Sequence, residues 1–88
     1  MRELKTEFDG RGEVKGFKFR QISKTDRGYI YSVDFDGKTH YETFKRVENT
    51  RFDTVSYPTS KAFGIWAWSN TDLDKAKKRL KSFNKPKQ

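Results

Sequence analysis

Aromatic rings outnumber branched aliphatic side chains in this chain: eight Phe, four Tyr and two Trp stand against ten Ile, Leu and Val. Each buried ring removes about 150–250 Å² from water, so any core here is assembled from a few large, flat pieces. Rings and Ile favour the pleated surface of a sheet, which makes strands the natural host for them. Hydrophobic residues are only 32% of the 88, against roughly 45–50% in ordinary soluble domains. That length makes one domain with little room for a second core. The rings argue against disorder throughout, although 36% of residues are charged.

Residues 1–12 read as an irregular segment anchored by Phe8, residues 13–84 as a single sheet-plus-helix domain, and residues 85–88 as a basic tail. In "GFKFRQISK", Phe17 and Phe19 alternate with Lys18, Arg20 and Ile22, the pattern of a half-buried strand. "KTDRG" supplies a turn, and "YIYSVDF" alternates again. Asp36-Gly37 is the strongest hairpin signal. A two-residue turn there pairs Tyr31 with Glu42, and a three-residue turn with a Gly37 bulge pairs Tyr31 with Tyr41. The second register gathers Tyr29, Tyr31, Val33 and Tyr41 on one face, with Ser32, His40 and Glu42 on the other. Because a one-residue slip exchanges the faces, the cleaner segregation favours it.

The third strand runs roughly from Lys38 to Val47, "ENTRFDT" reads as a polar connection, and "VSYP" as a short edge strand. "KAFGIWAW" is expected to be one strand, with Phe63 and Ile65 on one face and Trp66 and Trp68 on the other. Leu73, Ala76, Leu80 and Phe83 then follow helical spacing. Thr71 and Asp74 resemble a capping box, and Asn84 and Pro86 end the helix. The fold class this implies is α+β: an antiparallel four- to five-stranded meander sheet with one C-terminal helix packed on one face. The other face is expected to stay open.

Twenty Lys and Arg against twelve Asp and Glu give a formal charge of +8, a balance that attracts polyanions. An open sheet face carrying aromatics edged by basic groups is a platform for nucleic acid, because bases stack on rings and cations meet phosphates. The candidate binding residues are Tyr29, Tyr31, Tyr41, Trp66 and Trp68 for stacking, with Lys18, Arg20, Lys45, Arg46 and Arg51 for charge. The expected partner is single- or double-stranded nucleic acid or an acidic protein. The alternative is a protein-interaction module, including a homodimer through the last strand, since Trp, Tyr and Arg are enriched at interfaces.

An enzyme is not expected. His40 is the sole histidine, no cysteine is present, and the scattered carboxylates form no metal-ligand set, so no catalytic residue, metal or cofactor is assigned. "DFDG" lacks the other positions of a calcium loop, and "GRGEVKG" has Lys15 where a dinucleotide fingerprint needs its third glycine. Without cysteine, a signal-like N-terminus or a long apolar run, a cytoplasmic location with no membrane association is expected.

The order of elements, ending in "FGIWAWSNTDLDKAKKRL", is similar to the sheet-plus-helix DNA-binding domains of plant ethylene-response factors and to the arm-binding domains of tyrosine recombinases. Those place a three-stranded sheet in the major groove. It is also similar to the single-stranded-DNA-binding fold of transcriptional coactivators. The likeness is one of architecture. In sequence, "TEFDGRGEVKGFKF", "ENTRF" and "SYPTSKAFGIWAW" resemble small uncharacterised proteins of gut bacteria and their phages, across residues 6–68. That resemblance implies an accessory or inhibitor role and carries no site residues.

Overall fold

In the computed structural model, which describes residues 1–83, the chain runs β1 (Glu7–Asp9), β2 (Lys18–Lys24), β3 (Gly28–Phe35), β4 (Lys38–Lys45), β5 (Glu48–Asn49), β6 (Thr54–Val55), β7 (Ala67–Asn70) and α1 (Leu73–Ser82). β1, β2, β3, β4 and β7 form one antiparallel sheet in that order, and β5 and β6 form a small separate hairpin. The α+β class and the helix packed on the sheet match the sequence expectation. The basic tail and the Asn84 and Pro86 stop lie outside the described residues.

Positive φ at both Asp36 (51°) and Gly37 (74°) makes the two-residue hairpin turn, whose twist suits antiparallel strands. The register is therefore Phe35 opposite Lys38 and Tyr31 opposite Glu42, not the bulged alternative. This exchanges the faces of β4 relative to the favoured reading. Tyr29, Tyr31 and Val33 share their face with Phe44, Glu42 and His40, while Ile30 and Ser32 share theirs with Thr43 and Tyr41. Segregation misled because both faces are buried, so a ring was needed on each.

The helix covers the Ile30 face. Ala76 (0% exposed) and Leu80 (5%) pack on Ile30, flanked by Leu73, Phe83 and Tyr41, as the apolar stripe predicts. Its cap is Asp72, whose Oδ1 accepts from the Asp74 N–H at 2.9 Å, and not Thr71.

The opposite face is not open. Mostly irregular chain covers it, bringing Leu4, Val55, Tyr57, Ala62, Phe63 and Trp66 against Phe19, Tyr29, Tyr31, Val33 and Phe44, with Phe8 of β1 beside them. Tyr29, Tyr31 and Phe44 are 0% exposed, so the larger core lies here, away from the helix. Segment 1–12 is also less irregular than expected, because β1 pairs with β2 and lays Phe8 flat on Phe19 at 4.7 Å.

"KAFGIWAW" is not one strand. Ser60–Ala62 form a 3-10 turn, Gly64 sits at φ 88°, and only Ala67 onward joins β4. Gly64 N–H reaches the Ala67 carbonyl at 2.8 Å, a tight loop that leaves Ile65 71% exposed. The glycine breaks the alternation, so Trp66 and Trp68 end on opposite sides of the sheet: Trp66 against Phe44, Trp68 against Phe83. "ENTRFDT" likewise makes the β5–β6 hairpin instead of a plain connection.

Candidate nucleic-acid interface

With its apolar stripe inward, α1 points Lys75, Lys77, Lys78, Arg79 and Lys81 outward, all exposed. Among the described residues, none of these has a carboxylate within 4.0 Å. The acidic residues of this segment, Asp72 and Asp74, sit at the helix start, where they suit its dipole.

The basic face leads into a cleft of about 830 Å³ at the C-terminal end of the helix, with Arg27, Lys45, Arg46, Trp68, Arg79 and Phe83 in its walls together with Asp26 and Glu48. Arg27 is held there by the β2–β3 turn, in which Thr25 Oγ1 accepts from the Arg27 and Gly28 N–H groups at 3.2 Å each. Gly28 lets the strand pass under the helix: a Cβ there would stand 2.5 Å from the Phe44 carbonyl oxygen and 2.8 Å from the Phe83 ring. The Arg79 guanidinium lies 4.5 Å from the centre of the Trp68 ring, and the Lys45 ammonium 5.7 Å from that of Phe83. Both rings thus already carry cations, and what the cleft offers a ligand is positive charge held on aromatic supports.

Of the residues expected from sequence, Lys45, Arg46 and Trp68 come together here, but Arg46 is committed to the fold. Its NH1 donates to Tyr29 Oη at 2.7 Å and pairs with Glu3 Oε2 at 2.6 Å, and its Nε donates to Glu48 Oε2 at 3.0 Å. These partners raise its pKa further still. The others are dispersed. Tyr29 and Tyr31 are core residues, corrected from stacking to packing because the second face is covered. Tyr29 Oη donates to Glu3 at 2.9 Å, and Tyr31 Oη to the Lys5 carbonyl at 2.6 Å. Burial above all pushes the Tyr29 phenol up to about 12 and raises Tyr31. Tyr41 is half-buried beside the helix, and Trp66 is half-buried on the other side of the sheet.

Lys18 and Arg20 are exposed on β2, but their cross-strand neighbours include Asp9, Asp34 and Glu7, and Arg20 Nε pairs with Glu7 at 3.1 Å. Arg51 stands on the β5–β6 hairpin, its guanidinium 5.4 Å from the Phe52 ring centre. Arg27, Phe83 and the helix cations were not among the expected site residues. The signal for the latter was present, since every Lys and Arg of α1 falls off the apolar stripe.

His40 Nε2 lies 3.2 Å from Glu42 Oε2, whose other oxygen accepts from Tyr57 Oη at 2.6 Å. Among the described residues no three of His, Asp and Glu gather as ligands for a metal ion. No helix among them is long and apolar enough to cross a membrane.

Fold and site define a small α+β protein, a five-stranded antiparallel sheet carrying one basic helix. No protein-family model matches the chain, and neither curated proteins nor solved structures give a significant match.

Proposed function

We propose that the protein is a non-enzymatic nucleic-acid-binding domain whose contact surface is the outer face of α1 and the cleft at its C-terminal end. The observation that carries this reading is the row Lys75, Lys77, Lys78, Arg79 and Lys81, exposed and without carboxylate partners among the described residues. Unpaired cations on a rigid helix match the spaced phosphates of a polynucleotide, and releasing condensed counterions drives such binding. The sheet face carrying Tyr29, Tyr31 and Phe44 is not the platform, since those rings are core. With Arg79 and Lys45 already over Trp68 and Phe83, phosphate contacts dominate and base selectivity is low.

The test is a titration with single- and double-stranded oligonucleotides over a salt series. Affinity should fall linearly with salt on logarithmic axes, and the double variant K75E/K78E should flatten the duplex slope by about 2, close to 0.9 per lost phosphate contact. Absence of binding to either form at low salt overturns the proposal.

A further inference from the structure

A wide groove lies on the sheet face opposite α1, where the irregular cover is incomplete. It encloses about 1000 Å³ between residues 5–14 and residues 57–63. Phe8, Phe19, Tyr57 and Phe63 give it aromatic walls, beside Val14 and Pro58. Tyr57 stands edge-on to Phe8 and to Phe19, at 5.3 Å from each. Glu42 also lines it, with a side chain only 14% exposed. Burial, and then Glu42 itself, raises the Tyr57 phenol, so it stays a donor to Glu42 Oε1 at 2.6 Å, while Glu42 Oε2 lies 3.2 Å from His40 Nε2.

The groove's charge balance also runs against that of the chain as a whole. Four carboxylates line it, those of Glu7, Asp9, Glu13 and Glu42, against two cations, Lys5 and Arg11. Glu7 is itself paired with Arg20, so three acids face the two cations in a chain of net charge +8. An anion drawn to the helix finds no complement here, whereas an organic cation does. Aromatic walls with a carboxylate between them suit a guanidinium, which stacks on rings and offers a planar fork to a carboxylate. β1 is moreover a terminal strand of the sheet, with ladder partners on one side only, and its consecutive residues Glu7, Phe8 and Asp9 line the groove. An extended chain lying beside such an edge gains backbone hydrogen bonds as well.

We infer that this groove docks an extended, arginine-bearing segment of a partner polypeptide, with the guanidinium at Glu42 and the side-chain stem across Phe8, Phe19 and Phe63. This site is separate from the helix surface, so its failure leaves the nucleic-acid reading untouched, and the reverse holds.

The experiment titrates a capped arginine-containing pentapeptide, and its neutral citrulline counterpart, into the full isotope-labelled chain followed by NMR. The arginine peptide should shift the amides of Phe8, Glu42, Tyr57 and Phe63 saturably. The citrulline peptide and the Glu42→Gln variant should each bind about tenfold more weakly, as loss of a charged hydrogen bond implies. Glu13→Gln changes only an exposed rim charge, so it keeps the fold and should weaken binding about two-fold if the groove field matters. Should Glu42→Gln disturb the spectrum, the citrulline comparison and Glu13→Gln decide. Equal binding of the two peptides, shifts confined to other residues, no saturation, or an oligonucleotide shifting the same groove amides would each overturn the inference.

Discussion

The sheet is covered by a helix on one face and by irregular chain on the other, and the two covers use different chemistry. A helix satisfies its own backbone, so α1 needs only Leu73, Ala76, Leu80 and Phe83 to seal Ile30, and its other side chains remain free to be cationic. Irregular chain has no internal ladder and must find partners for its polar groups. Here three tyrosines tie it to the sheet, since each ring fills the core while its hydroxyl crosses between sheet and cover: Tyr29 to Glu3, Tyr31 to the Lys5 carbonyl, Tyr57 to Glu42. The lesson is that the face without regular structure holds the larger core, and the face with the helix holds the freer surface.

The comparison breaks first at the rings. Phe44→Ala, which opens a cavity among Tyr29, Tyr31, Tyr57 and Trp66, is expected to cost about 3–5 kcal/mol in urea denaturation. Leu80→Ala on the helix side should cost about 2–3 kcal/mol, because only Ile30, Ala76 and flanking groups surround it. Equal losses would mean that the two covers contribute alike.

Gly28→Ala probes the seam between α1 and the sheet. A methyl 2.5 Å from the Phe44 carbonyl oxygen forces β4 or α1 to shift, and the expected loss is about 2 kcal/mol in thermal melts. An unchanged midpoint would show that the seam yields.

Glu3 tests the pinning of the irregular cover. Burial pushes its carboxyl up, but hydrogen bonds from Arg46, Tyr29 and Lys24 together outweigh this and bring it from the ordinary 4.5 to about 2. A lowered acid supports the fold fully above its unfolded value and loses that support as pH falls through its folded one. The support therefore fades between pH 4.5 and about 2. Because its side chain is 40% exposed, the contribution is no more than about 1 kcal/mol. Melts across that window should be flatter for Glu3→Gln than for the native chain.

The smallest effect on stability belongs to the helix surface. K75E/K78E touches no packed group and should change stability by no more than about 0.5 kcal/mol, although the same variant is expected to weaken oligonucleotide binding. A larger loss would show that these lysines support the fold.

Local patterns were read well wherever one rule acted alone. The α1 stripe, the strands around "KFRQISK" and "YIYSVDF", and the Asp36-Gly37 reversal all follow from spacing and turn chemistry. Where two rules competed, the reading failed. Segregating rings favours the bulged register of β4, a rule that holds only when one face is buried. "KAFGIWAW" looked like a strand by composition, but Gly64 at positive φ turns the chain in its middle. The candidate binding residues were legible as a charge balance and not as a place. Lys45 and Trp68 reached the cleft, Arg46 was drawn into an ion pair with Glu3, and Tyr29 and Tyr31 went inside.

Composition and periodicity thus determined α1, the strands β2 to β4, the class of fold and the excess of positive charge, because these are properties of neighbours along the chain. Only the tertiary structure decided which face each ring occupies and which cations stay unpaired. Those depend on segments far apart in sequence, Leu4 and Tyr57 over Tyr31, Glu3 beside Arg46, and spacing along the chain does not encode what lies across it.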